Sequence, residues 1–435
     1  MKNIYSANQF EIHDRYYGEN QEFGGQYVPE ILLPSLDELE AAFQKYRNDA
    51  DFLADLKDLQ QDFIGRPSPL IFAKRLTEKL CGAKIYLKNE GNNLTGSHKI
   101  NHCVYQVLLA KRMGKKRVIC ETGAGQHGIA VATVCAKFGL DCVVYMGQKD
   151  IEKQYPNVFF MKQMGADIVP VLKGKQRLVE AVDAALGDFL QNPDSYYMLG
   201  SALGPHPYPE IMREAQRIVS VETKQQLQEI EGRLPDVVIA CIGGGSNAIG
   251  AFNEYLYEEQ VRLMGVEAGG EGIDREGRHA SRISSGQGRI GVMEGFKSYF
   301  LLDENGQCLP TETISAGLNY AGIGPLHAYM YSVGRLEISS VTDTEVLKAF
   351  QLLAETEGLI SALESAHAVA KAVEVATELG KDKIVLVNLS GRGDNYLFNI
   401  AKGLEDKEFK RFCQEFSKPP SLSEIIVKKQ QVSNA

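Results

Sequence analysis

Asn93-Leu-Thr-Gly-Ser-His-Lys-Ile-Asn101 sits between a strand-like run, Lys84 to Lys88, and a helical pattern from about Ile100 to Met113. That order places Lys99 at a helix start, among unpaired backbone N–H groups and near the positive end of the helix dipole. Both features disfavour the ammonium form. An amine must lose its proton before it attacks an aldehyde or ketone, so the position suits a Schiff-base nucleophile. A solvated lysine is the plain alternative, and the rest of the chain decides between the two.

Outward from this stretch the same design repeats. Apolar runs at Arg117 to Cys120, Cys142 to Met146, Val237 to Ile242, Leu263 to Val266 and Ile384 to Val387 alternate with helical patterns such as Gly128 to Phe138 and Ala362 to Leu379. Alternation of this kind predicts an α/β fold, with parallel sheets covered by helices on both faces. We expect two α/β domains around a cleft, 1–215 and 216–404, with a boundary close to the polar stretch Glu222 to Arg233. Ahead of the alternating runs, Ser35-Leu-Asp-Glu38 reads as a capping box opening a helix to about Tyr46. A second helix is predicted from about Asp51 to Phe63, stopping at Gly65 before Arg66-Pro-Ser-Pro. The charged tail, 405–435, contains Pro419-Pro420 and is expected to form a short helix followed by an irregular end.

The chain has 435 residues, 44% hydrophobic and 24% charged, with a net charge of -9. That balance disfavours nucleic acid and membrane surfaces, which call for basic faces. No apolar run reaches the length of a signal core or a membrane span, so a cytoplasmic protein with a small-molecule ligand is expected. Its eight cysteines form no C-x-x-C pair and have no histidine at ligand spacing in sequence, which points to neither zinc nor a disulfide framework.

Ligands of open parallel sheets bind beyond the carboxyl ends of strands, and three glycine-rich loops follow strands here. Glu121-Thr-Gly-Ala-Gly-Gln-His-Gly128 offers backbone N–H donors to a carboxylate or phosphate, with Glu121 as an acid/base group. It contains Gly123-x-Gly125-x-x-Gly128, but the acidic residue of a dinucleotide site does not end the following strand; Asp141 begins it. Gly243-Gly-Gly-Ser-Asn247 makes a cup for a phosphate dianion. In Val387-Asn-Leu-Ser-Gly-Arg-Gly-Asp394 the hydroxyl of Ser390 can face a ring nitrogen without imposing charge. An amine, a phosphate cup, a carboxylate loop and a neutral hydroxyl are the partners pyridoxal phosphate needs when its substrate is an amino acid.

Those loops, with Gly96-Ser-His-Lys-Ile-Asn101, Lys111-Arg-Met-Gly-Lys115, Gly204-Pro-His-Pro-Tyr-Pro209 and Ser315-Ala-Gly-Leu318, closely resemble the tryptophan synthase β-chain family from about Phe23 to Gly403. The resemblance implies pyridoxal-phosphate fold type II and a carbon–oxygen lyase reaction in which serine loses its hydroxyl and indole adds. It makes Lys99 the Schiff-base lysine, His98 a phosphate neighbour, and Gly243, Gly244, Gly245, Ser246 and Asn247 the phosphate cup. Ser390 becomes the ring-nitrogen partner, Glu357 a carboxylate close to the cofactor, and Glu121 the acid/base group. Thr122, Gly123, Ala124, Gly125, Gln126 and His127 become the substrate-carboxylate loop. It further implies a Na+ or K+ ion held by carbonyls near Gly243, Ala280, Leu318, Tyr320 and Gly322, a homodimer, and a closing region at about 114–200. Segment 55–95 is expected to pack with the C-terminal domain.

Several positions depart from the family pattern. Lys88-Asn-Glu-Gly91 replaces Lys-Arg-Glu-Asp, Asn319 replaces an aspartate, and Lys153 replaces an arginine that pairs with that aspartate on closure. Lys153 and Asn319 form no ion pair, and lysine lacks the bidentate fork. Glu294 falls where aromatic or histidine residues line a tunnel. Val179 stands where a lysine often meets the α partner, which counts against coupling to an α-like subunit. These changes raise a paralogue with another nucleophile or leaving group, such as O-phosphoserine or threonine, as the alternative; a catalytically silent cofactor-binding subunit is the rival from another class.

Overall fold

Val237–Cys241 and Ile384–Leu389 are apolar almost without interruption and buried along their whole length, the pattern of strands covered on both faces. The computed structural model describes residues 5–6, 8–394 and 397–416. Its strands are β1 (Tyr16–Tyr17), β2 (Phe23–Gly24), β3 (Leu70–Phe72), β4 (Lys84–Asn89), β5 (Arg117–Glu121), β6 (Asp141–Gly147), β7 (Asp167–Val171), β8 (Tyr196–Tyr197), β9 (Val237–Cys241), β10 (Arg262–Gly270), β11 (Gly288–Met293), β12 (Phe296–Leu301), β13 (Leu336–Thr342) and β14 (Ile384–Leu389). The chain divides into a unit Met1–Asn395 and a unit Tyr396–Ala435.

In the first unit a six-stranded sheet has the order β13-β10-β9-β14-β4-β3 and a four-stranded sheet the order β7-β6-β5-β8. All pairings in both are parallel except β3 with β4. A third, antiparallel sheet runs β1-β2-β12-β11. The neighbours β9, β14 and β4 end in the Gly243, Ser390 and Lys99 loops respectively. Because parallel strands share a carboxyl edge, the three loops emerge side by side although more than a hundred residues separate them in sequence.

The helix Lys99–Arg112 is buried at every position from Ile100 to Ala110, including Asn101, His102 and Gln106. A helix enclosed on all sides must satisfy its polar groups within the protein, which ties this one to its surroundings. It packs against the helices Gln126–Phe138 and Tyr208–Gln216 in the core beneath β5 and β6.

The predicted strands and helices are found with shifts of one or two residues at most ends, and β10 extends four residues beyond the predicted run, to Gly270. The capping box does not form. That helix spans Leu33–Tyr46 with Pro34 in its first turn and no side-chain cap, and Glu38 pairs instead with Lys115 at 2.8 Å. Proline pre-sets the helical φ and starts the helix before Ser35. The second helix, Ala50–Leu59, is capped by Asp49, widens over Gln60–Ile64 and ends at Gly65 with φ 88°.

In the second unit the helices Leu397–Gly403 and Lys407–Phe416 meet through Phe398 and Phe409, with ring centroids 5.5 Å apart. The irregular end expected after them, with Pro419-Pro420, lies outside the described residues. Among those described, no helix is long and apolar enough to cross a membrane.

Candidate active site

Lys99 is the first residue of its helix, and the loop before it is fastened to the loop after β14. His98 N–H donates to the Ser390 carbonyl at 2.9 Å, Arg392 N–H to the Gly96 carbonyl at 2.9 Å, and Ser97 forms a bridge with Gly391. Gln216 joins the third loop, donating to the His98 carbonyl at 3.1 Å and the Ser246 hydroxyl at 3.3 Å. Burial lowers the Lys99 amine from 10.5 to about 8, and its Nζ donates to the Gly200 carbonyl. The free amine that the helix position suggested is favoured chiefly by desolvation.

A network of paired charges underlies the loop. Arg66 donates to both oxygens of Glu90, at 2.8 and 3.0 Å, to Asn101 and to Glu222, while Lys88 Nζ donates to Glu222 at 2.6 Å. Glu90 also accepts from Asn93 and Asn101, each at 2.8 Å. Arg66 and its hydrogen bonds hold the Glu90 carboxyl well below the usual range despite its burial. The network pins both ends of the Asn93–Asn101 stretch, so Lys99 projects from a fixed frame.

In the Gly243 loop, Gly245 has φ 101°, and a Cβ there would lie 2.3 Å from the His327 ring; a Cβ on Gly244 would lie 2.3 Å from Ser201 Oγ. Only glycine leaves this backbone bare at the start of the helix Ser246–Phe252. Asn247 Nδ2 donates to the Cys241 carbonyl at 2.9 Å and holds the turn. Ser390 Oγ lies 2.9 Å from Ser365 Oγ, both buried. Nearby, His98 Nε2, Asn388 Oδ1 and Glu364 Oε2 are buried without a partner.

At the end of β5 burial raises Glu121 from 4.5 to about 7, with Tyr197 partly opposing it, and its Oε2 has no partner. Thr122 Oγ1 accepts from the N–H groups of Gly125 at 3.2 Å and Gly128 at 3.4 Å, and Asn157 Nδ2 donates to the Ala124 carbonyl at 2.8 Å. These bonds shape the loop from Gly123 to Gly128 around a helix N-terminus. Both amide atoms of Gln126 are buried and unpartnered, a polar group aimed at something the protein alone does not supply. His127 Nε2 is 2.9 Å from the Met198 carbonyl.

Glu294, at the β11–β12 turn, accepts from the Tyr320 hydroxyl at 2.7 Å and is raised by burial to about 7. Its charge adds to the rise of Glu121. Lys153 ends the helix Gln148–Lys153 beside Asp150, which burial raises to about 6 and which pairs with Arg177 at 3.5 Å. Asn319 Nδ2 donates to the Thr313 carbonyl at 3.3 Å. Val179 is 37% exposed in the first turn of the helix Leu178–Gln191.

Two expectations require correction. Glu357 does not lie at the loops: its Oε1 accepts the Leu76 N–H at 2.7 Å, drawn to the positive end of the helix Lys74–Leu80. The buried carboxylate in that region is Glu364, which accepts from Gly317 N–H at 2.8 Å and is raised by burial. The carbonyl set expected to hold a cation is not free either, because the Arg282 guanidinium donates to Tyr320 at 2.9 Å and to Gly243 at 3.3 Å. His102, Cys103 and His127 do come together, within 4.8 Å, although 24 residues separate Cys103 from His127. Burial keeps the imidazoles neutral and the thiol protonated, and His102 and His127 are engaged by Gln106 and Met198.

The family model described as pyridoxal-phosphate dependent enzyme matches residues 62–391. The chain is 50% identical over 398 residues to the tryptophan synthase beta chain of Jannaschia sp. (strain CCS1), covering 91% of this chain and 97% of that one. It is 51% identical over 381 residues to the tryptophan synthase beta chain of Allorhizobium ampelinum, covering 87% and 93%. Diaminopropionate ammonia lyase from Escherichia coli, solved with a reaction intermediate, superposes with a TM-score of 0.61 at 18% identity over 90% of this chain and 97% of that one, a likeness of fold.

Proposed function

Because the chain belongs to the tryptophan synthase β-chain family of pyridoxal-phosphate-dependent enzymes, we propose that it joins L-serine and indole to make L-tryptophan, with Lys99 and Glu121 as its proton-handling pair. It is a lyase whose cofactor is pyridoxal phosphate. The observation that carries the reading is the convergence of the Lys99, Gly243 and Ser390 loops on one sheet edge, with Glu121 facing them from the second sheet.

The residues fit the cofactor. The bare Gly243–Gly245 backbone, with Ser246 and Asn247 at a helix start, would hold its phosphate, with His98 beside it. The Ser390 hydroxyl, backed by Ser365, would meet its ring nitrogen. When bound, pyridoxal phosphate supplies an electron sink for the pair left at the substrate's α carbon. The Gly123–Gly128 loop, with the unpartnered Gln126 amide, receives the amino acid's carboxylate. Lys99 Nζ, lowered to about 8, takes the α proton. Glu121 Oε2, on a carboxyl raised by burial to about 7, gives a proton to the departing hydroxyl and assists the incoming nucleophile.

The division near residue 215, and closure by 114–200, belong to the same reading; what supports them is the four-stranded sheet, whose strands all lie between Arg117 and Tyr197, while β3 and β4 of segment 55–95 join the six-stranded sheet of the later strands. So do a homodimer and an α-type partner, the latter suggested by the beta-chain name of the relatives. Val179 brings no charge to that contact. Eight free cysteines suit the reducing cytoplasm.

A direct test follows product formation. Purified protein given serine and indole should form L-tryptophan, separated from indole by chromatography and identified by mass, and Lys99→Ala should abolish it. Turnover with another nucleophile but none with indole would overturn the reading. One observation favours a second reading: neutral Asn319 lies on the segment that joins Thr313 to Tyr320 and Glu294. A neutral amide tolerates an anionic leaving group better than a carboxylate does. O-phosphoserine outcompeting serine in the same assay would select that reading.

A further inference from the structure

Arg282 is the largest fully buried side chain among the described residues, 0% exposed. Its NH1 donates to the Tyr320 carbonyl at 2.9 Å, and its NH2 to the carbonyls of Ile242 at 2.9 Å and Gly243 at 3.3 Å. Its Nε lies 3.0 Å from Glu267 Oε1, and Glu267 is also 0% exposed. Glu267 further accepts from the N–H groups of Arg282, Ile283 and Ser284 and from the Ser284 hydroxyl, at 2.8 to 3.4 Å. One positive charge, one carboxylate and three carbonyls therefore form a closed cluster between β9, β10 and the Leu318–Tyr320 turn.

Gly243 and Tyr320 belong to the carbonyl set in which a Na+ or K+ ion was expected. A third member, the Leu318 carbonyl, accepts the Tyr320 N–H at 2.8 Å. An alkali ion gathers carbonyl oxygens by charge alone, and a guanidinium does so with a fixed fork of donors. A second cation entering the cluster would meet Arg282 with one buried carboxylate shared between two charges, an arrangement a low-dielectric interior strongly disfavours. The residues do not fit an added ion.

We propose that the Arg282 guanidinium is a built-in replacement for a monovalent cation, so that this protein functions and holds its fold without binding an alkali ion. Arg282 ties the residues that enter the phosphate cup, Ile242 and Gly243, to the turn that carries Asn319 and, through the Tyr320 hydroxyl, Glu294. The cation is a side chain of the protein itself, so its presence in the cluster does not depend on salt type or concentration. The inference rests on this geometry and stands whichever substrate the site takes.

The test uses the holoenzyme in tetramethylammonium chloride and in NaCl, KCl or CsCl at equal ionic strength. Turnover, the visible absorbance of the bound cofactor and the thermal midpoint should be the same in all four. A saturable response to any alkali ion of roughly fivefold or more, the lower end of ordinary ligand coupling, would overturn the proposal. So would line broadening of Cs-133 resonances by the wild-type protein beyond that caused by a protein known to bind none. Arg282→Ala opens the cluster: it should lose turnover and thermal stability in tetramethylammonium chloride and regain both with millimolar guanidinium or an alkali chloride. An Arg282→Ala protein that folds, keeps wild-type values and ignores every cation would refute the role assigned to the side chain. The wild-type titrations decide the question even if that variant fails to fold, and they do not depend on which nucleophile the enzyme accepts.

Discussion

Replacing Lys99 with methionine should make the cofactor-free protein more stable at neutral pH. Burial moves the amine from 10.5 to about 8, so between those values the unfolded chain holds a proton that the folded chain has released. Stability then rises with pH across that window. Below about pH 8 both states bind the proton, and the fold carries the whole burden of an enclosed ammonium; above 10.5 neither state is charged and the burden is gone. At about 1.36 kcal/mol per pH unit the burden is about 3 kcal/mol. This is an upper bound, since Lys99 is only partly buried and water in the cleft screens it. Methionine fills a similar volume without charge or hydrogen-bonding demand. Urea denaturation followed by circular dichroism, from pH 6.5 to 10.5, compares the two proteins without their cofactor. The variant should lead at pH 7 and converge on wild type by pH 10.5. A variant less stable than wild type at pH 7, or a lead that widens as pH rises, refutes the reasoning.

Glu121→Gln should lower kcat by about 10²–10⁴ and remove the inflection near pH 7 expected from a carboxyl raised to about 7; a pH–rate profile of both proteins checks it. Glu222→Ala strips the shared partner from Arg66 and Lys88, and leaving buried charge uncompensated should cost about 3–5 kcal/mol, read as a lower urea midpoint. Gly245→Ala forces a side chain into φ 101° against His327 and should weaken pyridoxal phosphate binding at least about tenfold, since left-handed strain alone costs about 1–2 kcal/mol. Titration followed by cofactor absorbance measures it, and unchanged affinity would remove the Gly243 loop from the phosphate role.

Local sequence carried the elements and most of the loops because both are written locally. A strand, a short glycine-rich turn and an amphipathic run leave their marks within twenty residues, and Lys99, Gly243 and Ser390 were found by those marks. The place of Glu357 was not legible for the complementary reason: the resemblance put it close to the cofactor, and what holds its carboxylate elsewhere is a contact with Leu76, 281 positions away. Arg282 left no signal at all: within Arg278-His-Ala-Ser-Arg282-Ile-Ser-Ser an arginine reads as solvated, and only the packing of β9, β10 and the Leu318–Tyr320 turn encloses it. The meeting of His102 and Cys103 with His127 likewise needs two helices to cross.

The ionisable groups of the protein fall into two populations, and the division explains how one cleft handles protons near neutrality. Beneath the loops charges are held in pairs, Arg66 with Glu90 at 2.8 and 3.0 Å and Arg282 with Glu267 at 3.0 Å between Nε and Oε1. Those pairs fix backbone positions. Around the cleft the groups are buried without full partners, and each shifts toward its neutral form: Lys99 to about 8, His98 and His127 to about 3, Glu121 and Glu294 to about 7. A histidine at about 3 stays neutral and serves as a fixed dipole. Of the groups just named, Lys99 and the two carboxyls lie within about one unit of physiological pH, where a group is both available in each form and able to pass its proton on. Lys99 and Glu121 come from loops on different sheets, so in the proposed reaction the proton taken from the substrate and the proton given to its leaving group would travel by separate residues. Glu294 is bound to Tyr320 and its charge raises Glu121 further. Removing that charge should therefore lower the Glu121 inflection while leaving that of Lys99 in place.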